Sequence, residues 1–350
     1  MRTFSHPGYK RFLLSVGCLL SIHFTALFFL TLFRLVFFFS ANYDFPDQEH
    51  VGFMSIWPAF IRGVWFDNVI ACYILLIPLV AVSISALFNY YGKILWNVTC
   101  IFFSLFYGIV LLVTAANIPY FQYFFKIINS SVFNWFGYMN TTAGMVFGET
   151  SYYPPLIGFL LTLVLFIWLM RRLIRHFQRL LNTKNPSVFW LDRIYIFLTA
   201  GICIGLCLFG IRGRTGYNPI KVSAAYYCTD PFLNQLGISP VFNLLSSTLD
   251  DSRKENRYLH LMPENEALEN TRHYLNRPGI EGISPIARQI NASDSLRRPN
   301  IVLIFMESMS AHLMKRFGQQ KELTPFLDSL YRQSLAFSNF YSSGIHTNHG

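Results

Sequence analysis

The clearest pattern in the chain is five long apolar runs, at 12–39, 69–91, 94–116, 154–170 and 189–211. About 20 mostly apolar residues are needed to cross the hydrocarbon of a bilayer, so each run predicts a transmembrane helix. The fourth is the shortest, held between Pro154 and Pro155 on one side and Arg171 on the other. Between the third and fourth runs, 117–153 concentrates aromatics such as Tyr120, Phe124, Trp135 and Tyr138, which predicts a helix lying in the membrane interface or the wall of a lipid-substrate groove. Beyond Ile211 the pattern turns polar. Pro219, Pro231 and Pro240 break 216–249 into expected short helices at the membrane surface, and 250–298 reads as a linker with one helix near Glu264–Leu275.

At Asn300 the pattern changes again. Asn300-Ile-Val-Leu-Ile-Phe-Met306 is a continuous apolar run rich in β-branched residues, the signature of a strand buried on both faces of a parallel sheet. Thr324 and Pro325 then fit the cap and first turn of a helix whose stripe is Phe326, Leu327 and Leu330, and 335–341 reads as a second strand. Strand, helix, strand is a βαβ unit. The expected fold is an α-helical transmembrane bundle of about five spans, followed by the start of an α/β domain. The expected divisions are 1–211 for the bundle, 212–298 for an extracytoplasmic connector and 299–350 for the α/β segment.

Composition agrees with the membrane reading. Hydrophobic residues make up 53% of the 350 positions and charged residues only 13%, about half the share usual in soluble domains. The net charge of +10 does not point to nucleic acid, because its densest part (Arg171, Arg172, Arg175, Arg179, Lys184, Arg193) lies between two spans. That is how a cytoplasmic loop looks under the positive-inside rule. With Arg2, Lys10 and Arg11 before the first span and Lys93 between the second and third, the basic loops alternate as five spans require. The N-terminus is therefore expected in the cytoplasm and everything past Ile211 outside it. The first run is too long for a cleaved signal sequence. Five of the six cysteines sit in apolar runs as small buried hydrophobes, leaving no exposed set for a disulfide framework or zinc site. Within the first span, His23 is expected to be a packing residue and Arg34 to snorkel to the outer interface.

Candidate chemistry lies at strand ends, where open α/β sheets bind ligands. Glu307 directly follows the first expected strand, and Thr347 lies just past the second in Gly344-Ile-His-Thr-Asn-His-Gly350. A carboxylate there can hold a divalent metal, and a hydroxyl beside that metal can act as a nucleophile. Taken alone, the same two residues fit a solvated strand-end acid and a helix N-cap equally well.

Pro299-Asn-Ile-Val-Leu-Ile-Phe-Met-Glu-Ser308, Leu323-Thr-Pro-Phe-Leu327, Phe337-Ser-Asn-Phe-Tyr341 and the Gly-x-x-Thr element at Gly344 to Thr347 together resemble the lipoteichoic acid synthase family, within the alkaline phosphatase and sulfatase superfamily. The layout of that family, five N-terminal spans and an extracytoplasmic catalytic domain, agrees with the one read from hydropathy and charge. The resemblance implies Glu307 as a metal ligand and Thr347 as both ligand and nucleophile, with one divalent ion, Mn²⁺ or Mg²⁺. It implies a phosphatidylglycerol-like lipid donor in the cell membrane and a glycan or glycolipid acceptor, with a phosphoglycerol-type group transferred between them.

His346, Asn348 and His349 stand where the family has Lys before the Thr and Ser-Asp after it, so substrate or acceptor can differ, and phosphoethanolamine transfer is an alternative. His346 and His349 are candidate phosphate or metal contacts. The Cys/Ser-x-Pro-x-Arg motif of formylglycine sulfatases does not occur, which argues against arylsulfatase activity. A sulfatase-like phosphodiesterase and a non-catalytic membrane scaffold are the rival readings. Transport is disfavoured, because the spans carry little ionisable beyond His23 and Arg34. An α/β domain of this kind runs to roughly 250 residues. The chain is therefore expected to be the N-terminal part of a longer protein or a broken reading frame, inactive alone.

Overall fold

A computed structural model describes residues 6–41, 53–148, 150–181, 190–253, 261–276, 287, 300–304, 306, 309–337 and 339. Five helices in it are long and apolar enough to cross a membrane: α1 (Pro7–Ser40), α2 (Phe53–Leu87), α3 (Lys93–Phe124), α5 (Tyr153–Leu181) and α6 (Trp190–Arg212). Between α3 and α5 come a 3-10 turn at Ser130–Tyr138 and the short helix α4 (Met139–Gly148). After α6 come α7 (Pro231–Leu236), α8 (Pro240–Ser252), α9 (Glu264–Leu275) and α10 (Pro325–Gln333). By packing, the chain divides into two compact units, Met1–His260 and Leu261–Gly350.

The helices exceed the apolar runs that predict them. Helix α1 has 34 residues, a length of about 50 Å, so its ends extend past a hydrocarbon layer about 30 Å thick. Helix α2 starts at Phe53 rather than near 69, because the apolar pattern continues through Ala59, Phe60 and Phe66 around Arg62 and Asp67. Helix α5 continues past Met170 to Leu181, so Arg171, Arg172, Arg175 and Arg179 belong to its last turns and not to a loop.

Packing fixes which ends lie together. At one end His6 Nδ1 meets Asp192 Oδ1 at 2.8 Å, and the Arg11 guanidinium lies 4.6 Å from the Tyr91 ring centroid. These contacts join the start of α1 to the start of α6 and to the α2–α3 turn. Burial pushes the Tyr91 phenol up to about 12 despite the Arg11 cation. In the middle, Tyr107 and Phe29 both close on Phe166, linking α3 and α1 to α5. The core is aromatic and aliphatic, with Phe12, Phe66, Phe103 and Phe166 wholly buried. Outward faces stay apolar too: Ile101 is 68% exposed, Leu161 67% and Phe197 68%. In water such surfaces would drive aggregation, whereas hydrocarbon suits them. The molecule is a multi-pass membrane protein.

Two expectations need correction. Arg34 does not snorkel. It is 5% exposed and its Nη2 donates to Asp67 Oδ2 at 2.6 Å, because Asp67 of α2 offers a buried carboxylate that outcompetes the interface. Nor does a strand form among the described residues. Ile301–Ile304 have no regular structure and Ile301 is 86% exposed, because a strand persists only with a paired neighbour and none lies beside it among the described residues. Leu335–Phe337 are likewise irregular, while the rest of the expected second strand lies mostly outside the described residues.

His23 behaves as expected: it is buried, with Nε2 3.0 Å from Asn68 Oδ1. All six cysteines are free thiols; Cys18, Cys72 and Cys207 are buried, and Cys100, Cys203 and Cys228 half-buried.

Candidate functional site

The segment beyond α6 closes the end of the bundle opposite the His6–Asp192 contact. Gly213 and the helices α7 and α8 cap that end. The Trp65 indole of α2 donates to the Gly213 carbonyl, and Phe232 of α7 packs edge-on against Phe37 and at a tilt against Phe121. The Tyr227 hydroxyl donates to the Ser55 carbonyl at 2.5 Å, with Arg62 lying 4.5 Å from the centroid of its ring. Burial first, then Cys228, pushes the Tyr227 phenol up to about 12, so it remains a donor at neutral pH. From the aromatic region after α3, the backbone N–H of Ile127 and of Ser130 reach Gln235 and Ser247 at 3.1 and 2.9 Å. The expected surface helices after Gly216 are thus bonded directly to the bundle.

Arg34 is the centre of this closure. While Nη2 holds Asp67, Nη1 donates to the carbonyls of Leu236 and Ile238 at the end of α7. One buried cation thereby ties α1, α2 and the α7–α8 cap together. Gly63 is the space that admits it, because a Cβ there would overlap the guanidinium. Sequence reasoning missed this arrangement. The available signal was an acid, Asp67, inside an apolar stretch one helix away from an arginine in another span.

Toward the C-terminus, the described residues organise around Asp328 in the first turn of α10. Its carboxylate accepts the backbone N–H groups of Lys315 and Arg316 at 3.2 and 3.3 Å, and the Thr324 hydroxyl lies 3.1 Å away. Slight shielding from solvent works to raise this carboxyl. The Lys315 and Arg316 N–H groups, Thr324 and Arg332 outweigh it and hold the carboxyl below the usual range. Lys315 pairs with Glu322 at 3.2 Å, and Arg316 lies 4.5 Å from the Tyr331 ring centroid. Helix α10 thus begins where the sequence placed it, after Thr324 and at Pro325. Thr324 caps it indirectly, through Asp328, rather than through an N–H of its own first turn.

Glu307, His346, Thr347 and His349 lie outside the described residues, and no group of three or more potential metal ligands occurs among the described ones. Asn300 to Ile304 lead into Glu307 as an exposed apolar segment, and the Asp328 hub organises 314–328 after it.

Helices and cap define the class of multi-pass membrane proteins, and a second compact unit spans Leu261–Gly350. Residues 299–350 match the Sulfatase family model, which supports a likeness of that segment to the alkaline phosphatase and sulfatase superfamily. No curated protein and no solved structure matches the chain. Domains of that family are generally metal-dependent. By side-chain type, the carboxylate of Glu307 and the hydroxyl of Thr347 are oxygen donors of the kind that Mn²⁺ and Mg²⁺ take.

Proposed function

We propose that the protein is a membrane-anchored, metal-dependent transferase of the lipoteichoic acid synthase type. It moves a phosphoglycerol-type group from a phosphatidylglycerol-like lipid to a glycan or glycolipid acceptor. The observation that carries this reading is the joining, in one chain, of a five-helix apolar bundle to a Sulfatase-matching segment that contains Glu307 and Thr347. A lipid donor is confined to the bilayer surface, and an enzyme tethered there meets it at high effective concentration.

In this mechanism the Thr347 oxygen attacks the donor phosphorus, the phosphorus bond to the diacylglycerol oxygen breaks, and the Thr347 proton ends on that departing oxygen. An acceptor hydroxyl then attacks the phosphothreonine ester and its proton returns to Thr347. Glu307 and Thr347 would hold a divalent ion, which supplies charge neutralisation for the phosphoryl oxygens. His346 and His349 would contact the phosphate. The test is transfer itself. Native membranes containing the gene-encoded protein, given phosphatidylglycerol labelled in its headgroup glycerol and Mn²⁺, are expected to label an extracytoplasmic acceptor and release diacylglycerol. Release of free glycerol phosphate with no labelled acceptor would instead establish the phosphodiesterase reading.

The reading also fixes orientation. The Arg171 end of the bundle belongs in the cytoplasm, and the cap and the Sulfatase-matching segment outside the cytoplasmic membrane. Reporter fusions at Lys184 and Arg253 are expected to report opposite sides. Both reporting the cytoplasm would overturn the topology.

A further inference from the structure

The end of the bundle remote from the cap holds a cavity of about 420 Å³ between α3 and α5. That size falls within the ~300–1,000 Å³ typical of small-molecule sites. Helix α3 lines it with Trp96, Asn97, Cys100 and Ile101, and α5 with Arg171, Ile174, Arg175 and Gln178. The four α5 positions are spaced i, i+3, i+4, i+7, so they form one helical face aimed at α3. Most polar atoms of this wall are donors, namely two guanidinium groups, an indole N–H and the amide nitrogens of Asn97 and Gln178, whose amide oxygens accept. Arg175 is steadied by its Nε donating to the Arg171 carbonyl at 3.2 Å. Neither Arg171 nor Arg175 has a carboxylate partner among the described residues. The Trp96 indole N–H, in a side chain only 1% exposed, is buried without an acceptor among them. The only described carboxylate at this end, Asp192, is fully buried and turned to His6. Ile101 and Ile174 add apolar wall, and Ile101, the α3 lining residue farthest from the start of that helix, is 68% exposed.

We propose that this cavity binds the headgroup of an anionic phospholipid from the surrounding leaflet, with Arg171 and Arg175 on the phosphate and the exposed Ile101 against the upper part of an acyl chain. Three observations converge on that occupant. Arg171 and Arg175 have no carboxylate partner among the described residues, a guanidinium recognises phosphate with two parallel hydrogen bonds, and the site lies within about three turns of the ends of two spanning helices, at headgroup depth. Arg172 and Arg179 lie on the same helix yet do not line the cavity, and Arg172 is occupied over the Trp168 ring at 5.3 Å. The site is independent of the transferase reading and sits at the other end of the bundle from the cap.

Native mass spectrometry of the detergent-purified protein, titrated with phosphatidylglycerol, tests it. Arg171→Gln with Arg175→Gln is expected to weaken binding about tenfold or more, the loss of two charge-assisted contacts. Arg172→Gln with Arg179→Gln removes the same charge and is expected to change it less than about threefold, the scale of screened surface charge. Ile101→Trp leaves every cation in place but fills the groove, and it too is expected to weaken binding. That variant keeps the test valid should the arginine variant misfold. Equal losses in the two arginine pairs, undiminished binding in Ile101→Trp, equal affinity for phosphatidylcholine, or inorganic phosphate binding as tightly as the lipid would each overturn the proposal.

Discussion

In the full gene product, Thr347→Ala is expected to abolish group transfer, by about 1,000-fold or more, because removing the nucleophile of a covalent mechanism leaves only binding and charge stabilisation. Thr347→Ser keeps a hydroxyl and is expected to retain measurable turnover. Glu307→Gln exchanges a carboxylate for a neutral amide, a poorer ligand for a hard cation, so its activity is expected to fall and to recover in part with excess Mn²⁺. Excess metal is expected to do nothing for Thr347→Ala. If Thr347 were only a helix cap, alanine would cost about 1 kcal/mol of stability and leave each folded molecule fully active. Turnover per folded molecule, with and without added metal, separates the two roles. Near-normal turnover in Thr347→Ala would remove Thr347 from the chemistry.

The second large effect is structural. Arg34→Met is expected to destabilise the bundle by about 3–5 kcal/mol, because it leaves the Asp67 carboxylate, 2% exposed, buried without its partner. It also strips the Leu236 and Ile238 carbonyls of their donor, so the α7–α8 cap should loosen together with the helix pair. Pairing Arg34→Met with Asp67→Leu removes both charges and is expected to recover part of the loss. The recovery stays incomplete because the two cap carbonyls remain orphaned. Thermal unfolding in detergent reads the stability, and hydrogen exchange over 231–241 reads the cap. A double variant no more stable than Arg34→Met alone would contradict the ion-pair account.

These two regions differ in how far the sequence discloses them. Hydropathy alone places the five helices, because crossing hydrocarbon imposes a length and a composition on every span. It misplaces the start of α2, since Arg62 and Asp67 look like loop charges until Tyr227 and Arg34 are seen to engage them. No periodicity could pair Arg34 with Asp67 and with two carbonyls some 200 positions along the chain, because that match is set by tertiary packing. Helix α9, in contrast, lies at Glu264–Leu275 as expected, with Glu264 and Glu266 in its first turn and Arg272 in its last, matching the helix dipole. The apolar run into Glu307 is legible as a strand only by pattern. A strand is a property of a pair, and Ile301–Ile304 stand without one among the described residues. The roles of Glu307 and Thr347 come from resemblance, to which the Sulfatase match over 299–350 adds support for the superfamily and no more.

The central claim, that Thr347 carries the transferred group, is tested most directly by trapping it. The protein in native membranes is incubated with headgroup-labelled phosphatidylglycerol and Mn²⁺, quenched in acid and digested, and the peptide containing Thr347 is examined by mass spectrometry. The predicted result is a phosphoglycerol ester on Thr347 that disappears when acceptor is supplied. Transfer proceeding at full rate with that peptide unmodified at every time point would contradict it.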